Sequence, residues 1–211
     1  LHQEKNFQNS SKLFQLANNL KLDLRPFNYK NFIKKSRMLI FESEKKVINK
    51  KEPINSDENI FIVGMPRSGS TLLESIITMN KNVYDLGEVN IFEESYLKYK
   101  NSKEDKSLAE LYAEKVKNKT ELKITTNKWL YNYQYAGIIS YQIPESKIIH
   151  CYRNPLDNIL SIFRAHFDTG NEYSSSLVDC ANVYLNQEEL MSKYKNRFRS
   201  KIYDLNYDSL V

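Results

Sequence analysis

An α/β fold with a P-loop-like parallel sheet of about five strands, covered by helices on both faces, is predicted by three observations. From residue 60 onward, short apolar runs of strand length alternate with segments of helical spacing. A glycine-containing loop joins the first of those strands to an amphipathic helix. No apolar stretch in the 211 residues approaches the roughly 18–20 residues of a membrane span. Strands that alternate with helices pair in parallel, because each helix carries the chain back across a face of the sheet.

The elements follow in order. Phe7, Leu13, Phe14, Ala17 and Leu20 recur at three- and four-residue steps and predict a helix. Pro26 interrupts it. Asn28 is placed to cap a second helix through about Val47, with Phe32, Ile33, Met38, Leu39, Ile40 and Val47 apolar. Residues 49–59 hold Pro53 and few apolar side chains, and read as a linker or exposed loop. The chain therefore divides into a helical segment, 1–51, and an α/β domain, 58–211. In the second part Ile60–Val63 is a buried-type strand ending at Gly64, and Thr71–Met79 is a helix. Val83–Leu86 is a second strand, with helices near 90–100 and 105–118. Leu122–Thr125 is a third strand, followed by a helix over 132–142. Ser146–Tyr152 is the strongest strand signal, and Leu156–His166 the helix after it. A long helix over 175–196 and a strand over Lys201–Leu205 complete the series.

Composition excludes several classes. Cys151 and Cys180 are too few for a disulfide scaffold or a four-cysteine metal site. His2, His150 and His166 make no spaced ligand pair, and no metal is expected. His150, inside a central strand, reads as a satisfied buried side chain. The net charge of +5 is uneven, with residues 1–51 at +8 and the remainder at −3. A nucleic-acid-binding domain is usually basic along its binding face; the larger part here is not, and no nucleic acid is expected. The basic N-terminal helices are either a solvated surface or a contact for an acidic protein partner. The chain starts with Leu rather than Met, as expected of a piece of a longer protein, and a cytoplasmic location is expected.

The loop Gly64-Met65-Pro66-Arg67-Ser68-Gly69-Ser70-Thr71 carries the chemistry. Such a loop turns successive backbone N–H groups into one concavity at a helix N-terminus, where anionic oxygens bind. Its spacing is that of G-x-x-x-x-G-K-[ST], with Ser70 in place of the lysine. An ordinary kinase or NTPase needs that lysine at its β- and γ-phosphates, and an aspartate closing an apolar strand to hold Mg²⁺. KIIHCY instead leads into Arg153. Arg67, inside the loop, is placed to supply the cation.

The segment FIVGMPRSGSTLLESII resembles the 5′-phosphosulfate loop of sulfotransferases that use 3′-phosphoadenosine 5′-phosphosulfate (PAPS). The resemblance assigns Arg67, Ser68, Gly69, Ser70 and Thr71 to the 5′-phosphate and the sulfuryl group. KIIHCYRNPLDNILSIFR is similar to the family's R-x-P-x-[DE]-x-x-x-S element, which holds the 3′-phosphate. Arg153 and Ser161 match it, Arg153 at the strand end and Ser161 two turns into the helix. LGE, ending in Glu88, resembles the G-E of tyrosylprotein sulfotransferases and their bacterial relatives, where the glutamate is the general base. ITTNKWLYN resembles T-D-K-x-P-x-N, with Thr126, Lys128 and Asn132 matching and Asn127 and Leu130 departing. Tyr207-Asp-Ser-Leu-Val is similar to Y-E-D-L-V, whose tyrosine approaches the nucleotide. The family continues past that element with a helix and a closing loop. Its second arginine in the 3′-phosphate helix falls near Arg164, for which a surface role is equally open. The N-terminal helix pair resembles the last repeat of a tetratricopeptide (TPR) array, which that bacterial branch often carries.

The resemblance implies transfer of a sulfuryl group from PAPS to an acceptor hydroxyl, with Glu88 as base and Lys128 or Arg67 neutralising the leaving oxygen. Competing readings stay open at this point. Glu88 is otherwise a turn carboxylate capping the next helix, Lys128 a solvated lysine, and Tyr207 a packing residue. A P-loop kinase or NTPase, and a non-catalytic TPR-type interaction protein on a degenerate nucleotide fold, are the alternatives. The acceptor is a tyrosyl peptide, a carbohydrate or a small alcohol, and residues 89–145, rich in tyrosine and holding Trp129, are expected to line its pocket.

Overall fold

The computed structural model describes residues 6–45, 57–101 and 105–211. Five strands, β1 (Glu58–Gly64), β2 (Val83–Asp85), β3 (Ile124–Asn127), β4 (Ser146–Tyr152) and β5 (Ile202–Asn206), form one sheet in the order β2-β3-β1-β4-β5. Every neighbouring pair is parallel, with Phe61 beside Asn127 and Ile148, and Tyr152 beside Asn206. The expected sheet is therefore present. The helices are α1 (Phe7–Leu24), α2 (Tyr29–Glu44), α3 (Ser70–Ile77), α4 (Ile91–Asn101), α5 (Leu108–Lys117), α6 (Ala136–Gln142), α7 (Pro155–Arg164) and α8 (Leu177–Arg197). The end of the second predicted helix, at Val47, and most of the 49–59 linker lie outside the described residues. Among the described residues no helix is long and apolar enough to cross a membrane.

β1 explains why its sequence is apolar without alternation. Phe61 and Val63 point to one face of the sheet, where they pack with Phe92, Tyr112, Ile138 and Leu190. Ile60 and Ile62 point to the other, against Leu73 of α3 and Cys151. A strand covered on both faces has no polar side to show. Helix α2 closes on the larger core through Leu39, and its start is capped by Asn28, whose side chain accepts from Asn31 N–H at 3.0 Å. Phe27 sits edge-on to Tyr173 at 5.8 Å between ring centroids. The side chains of Phe7 and Leu13 are exposed on α1.

Two elements differ from the sequence reading, each for a local reason. β3 begins two residues later than expected and runs through Asn127. Thr125, Thr126 and Asn127 are buried polar residues whose side chains find partners: the side chains of Asn59 and Glu74, and the backbone carbonyl of Val89. A polar strand of this kind leaves no hydrophobic signature. The helix over 132–142 divides into a 3-10 turn, Leu130–Tyr135, and α6.

Gly64 closes β1 at φ 142°, in a region that side chains rarely adopt. A Cβ there would lie 2.2 Å from the Cys151 carbonyl oxygen, which belongs to the neighbouring strand. Gly64→Ala is expected to destabilise the protein by at least about 2 kcal/mol, read as a lower urea midpoint. A midpoint equal to that of the unaltered protein would show that the two strands part more easily than their contact implies.

Candidate active site

The carboxyl ends of all five strands lie at one edge of the sheet. The chain runs out from β1 to one side, through β2 and β3, and later to the other side, through β4 and β5. β1 is thus the switch point, outside whose carboxyl end open α/β sheets bind their ligands. Of the residues assigned to catalysis or nucleotide binding, each follows a strand end apart from Ser161. Arg67–Thr71 follow β1, Glu88 follows β2, Lys128 follows β3, Arg153 follows β4 and Tyr207 follows β5.

The loop after β1 is shaped by two left-handed residues, Arg67 at φ 66° and Gly69 at φ 89°. Only glycine adopts that region routinely, so Arg67 is held there by its surroundings. The Asn158 amide, on α7, donates to the Pro66 carbonyl at 2.9 Å. Arg67 Nε donates to Ser161 Oγ at 3.3 Å. These two contacts bind the first loop to the helix after β4. Helix α7 begins where the sequence predicts, with Pro155 in its first turn and the Asn154 side chain accepting from the N–H groups of Leu156 and Asp157.

On the other side of the loop, Lys128 is buried, not solvated. Its ammonium contacts Glu88 Oε1 at 2.6 Å and lies 3.4 Å from Thr71 Oγ1 and 3.5 Å from Glu74 Oε2. Burial opposes its charge, but the ion pairs with Glu88 and Glu74 outweigh burial and raise its pKa above the ordinary lysine value. Glu88 meets Lys128, and its side chain is 64% exposed.

Arg153 stands at the far side. Its guanidinium lies 5.1 Å from the centroid of the Tyr207 ring, and 4.0 Å separates it from Asp157. The same ring covers the loop: a Cβ at Gly69 would fall 2.1 Å from Tyr207 Cδ2. Three buried polar atoms here have no hydrogen-bond partner: the donors Ser68 Oγ, in the loop, and Arg153 Nε, and the acceptor Asn158 Oδ1 on α7. Buried polar atoms are rarely left unpaired, and an anion bound across the loop and Arg153 would supply acceptors. Arg164 leaves the crevice and lies over Phe14 of α1, 5.7 Å from its centroid.

His150 is satisfied, as expected of a core histidine: Nδ1 is 3.1 Å from Asp204 and Nε2 is 2.6 Å from Gln187. The His150 and Lys195 contacts, against some burial, hold the Asp204 carboxyl down at about 2. Among the described residues no group of His, Cys, Asp and Glu is arranged to hold a metal ion. The sequence reading missed Glu74 and Asn158. Each is a polar residue one turn inside a helix that starts at the crevice, which was the signal available.

An open parallel sheet whose first strand runs through a glycine-containing loop into a helix defines a P-loop-like class of α/β protein. Residues 59–126 and 101–211 match the Sulfotransferase family, and the chain belongs to that family. The sulfotransferase domain from the Synechococcus PCC 7002 olefin synthase shares the fold, with a TM-score of 0.55 and 17% identity over 78% of this chain and 71% of that one. An uncharacterised protein of Aquifex aeolicus (strain VF5) is 30% identical over 181 residues, covering 74% of this chain. The chain spans about a quarter (24%) of the length of that curated relative.

Proposed function

We propose that the protein transfers a sulfuryl group from PAPS to an acceptor hydroxyl, with Glu88 as the general base. The observation that carries the reading is the convergence of Arg67, Glu88, Lys128, Arg153 and Tyr207 from five separate loops on one crevice, beside two orphaned buried donors. PAPS, when bound, supplies an activated sulfuryl group and leaves as adenosine 3′,5′-bisphosphate. The loop N–H groups at the start of α3, with the hydroxyls of Ser68, Ser70 and Thr71, bind the 5′-phosphate and sulfuryl oxygens. Arg153 and Ser161 bind the 3′-phosphate, and Tyr207 packs beside the nucleotide.

Sulfuryl transfer, like phosphoryl transfer, is mostly positioning and charge stabilisation. The acceptor oxygen bonds to sulfur as the bond from sulfur to the 5′-phosphate oxygen breaks. Glu88 takes the acceptor's proton, and Lys128, with Arg67, balances the charge that grows on the departing oxygen. The acceptor class, whether tyrosyl, carbohydrate or small alcohol, is set by the 89–145 region around Trp129. The N-terminal helices are a candidate surface for a protein partner.

Thermal unfolding with added nucleotides tests the reading. Adenosine 3′,5′-bisphosphate at about 100 times its Kd should stabilise the protein by about 2.7 kcal/mol, a rise in Tm of about 5–10 °C for a chain of this size. ATP with Mg²⁺ should have little effect. Stabilisation by ATP with Mg²⁺ and not by the bisphosphate would return the protein to the kinase or NTPase class. No response to either would favour a non-catalytic interaction protein.

A further inference from the structure

One carboxyl group at the crevice lies beneath the residues that face solvent. Glu74, on α3, has a side chain only 7% exposed. Its Oε1 accepts from Thr126 Oγ1 at 3.2 Å, and its Oε2 lies 3.5 Å from Lys128 Nζ. The groups facing it are Lys128 and Thr126 from β3 and its end, and Asp85 from the end of β2. Along α3 itself, Thr78 Oγ1 donates to the Glu74 backbone carbonyl. Burial, with the Asp85 carboxyl beside it, raises Glu74 to about 7, against the pull of Lys128.

Lys128 has three N–H groups and three acceptors around them: Glu88 at 2.6 Å, Thr71 at 3.4 Å and Glu74 at 3.5 Å. Two of the three stand on α3, one turn apart, so the helix that carries the anion loop also carries the seat of the ammonium. Glu88 is the nearer anion, and its charge disappears when it accepts a proton. A buried ammonium without a counter-ion is costly. At that moment Glu74 is the carboxylate left beside it.

We propose that Glu74 is a positioning residue, the buried counter-ion that keeps Lys128 charged and seated beside Thr71 after Glu88 has taken the acceptor's proton. The proposal rests on the sulfuryl-transfer reading of Glu88. It adds a second carboxyl partner to an ion pair already in contact, and assigns it a moment in the reaction.

The test is the titration of Lys128 in the full chain labelled with [13Cε]lysine, its resonance assigned by its loss in Lys128→Arg. Glu74→Gln keeps the size of the side chain and the contact with Thr126 but removes the charge. It should increase the acid dissociation constant of Lys128 about tenfold; Glu74→Asp should restore part of the difference. In the unaltered protein the same resonance should show a second inflection near pH 7 as Glu74 ionises. An unchanged Lys128 midpoint in a folded Glu74→Gln protein overturns the proposal. So does a Glu74 carboxyl that stays protonated at the pH of turnover in the unaltered protein, a measurement that needs no variant. The second readout is turnover of PAPS with a simple phenol as acceptor. Glu74→Gln should lower kcat about tenfold and leave the KM for PAPS unchanged; a change confined to KM counts against positioning. Loss of the Lys128 shift with PAPS turnover intact refutes the role of Glu74. A normal Lys128 shift with no PAPS consumption by the unaltered protein refutes the sulfuryl-transfer reading instead.

Discussion

Glu88→Gln is expected to lower sulfuryl transfer by about 10²–10⁴-fold, the usual contribution of a positioned base, while the bisphosphate product binds as tightly as before. Glutamine keeps an oxygen for Lys128, which contacts Glu88 Oε1 at 2.6 Å, so the seat of the ammonium survives. What disappears is the capacity to accept a proton. Glu88 also touches no part of the loop after β1: its partner among the described contacts is Lys128. Single-turnover rates and calorimetric titration with adenosine 3′,5′-bisphosphate separate the two effects. A rate reduced less than about tenfold would move the base elsewhere in the crevice. A parallel loss of binding would mean that the substitution disturbs Lys128 rather than the chemistry.

Arg153→Ala should have the largest effect on binding. Its guanidinium is held by Tyr207, while its Nε is buried without a partner. Charge-assisted contacts contribute about 1.5–3 kcal/mol, so affinity for adenosine 3′,5′-bisphosphate should fall between about tenfold and a hundredfold. 3′-AMP should lose as much, and 5′-AMP almost nothing. Arg67→Ala should give the opposite pattern, weakening 5′-AMP and the bisphosphate and sparing 3′-AMP. The two arginines follow different strands, β1 and β4, and only Arg67 touches Ser161, 3.3 Å from its Nε. Equal losses for all three nucleotides in both variants would show one shared site, and the assignment of separate 3′ and 5′ contacts would fall with it.

The strand–loop–helix grammar of the crevice could be read from residues alone because backbone geometry writes it into composition. Gly64 and Gly69 stand where φ is positive, Pro155 where a helix starts, and Asn154 where it is capped. β1 and β4 are apolar because both faces are covered. β3 was harder to place, since its buried Thr126 and Asn127 owe their burial to partners distant in sequence. The burial of Glu74 was illegible for the same reason, although its place one turn inside α3 could be read. Its neighbours Leu72, Leu73, Ile76 and Ile77 mark an amphipathic helix, and a glutamate on such a helix reads as a solvent-facing residue. Only the three-dimensional approach of Thr126 and Lys128 makes it an interior group. The solvated reading of Lys128 failed likewise: lysine is rarely buried, and the pairing that permits it comes from β2 and α3.

Tyr207 gives the crevice a dimension. Its ring stands between the Arg153 guanidinium, 5.1 Å from the ring centroid, and the loop at Gly69, which it touches so closely that no Cβ fits. It acts as a gauge block between two jaws. An aromatic ring is flat and cannot be compressed, so the jaw opening on that side is a fixed length rather than an adjustable one. Such a clamp sorts ligands by the interval between their charges before it meets their shape. A molecule with its anions at another interval engages one jaw and leaves the other empty. On the proposed assignment of the two phosphates, the turn that carries Tyr207 is the ruler of the site.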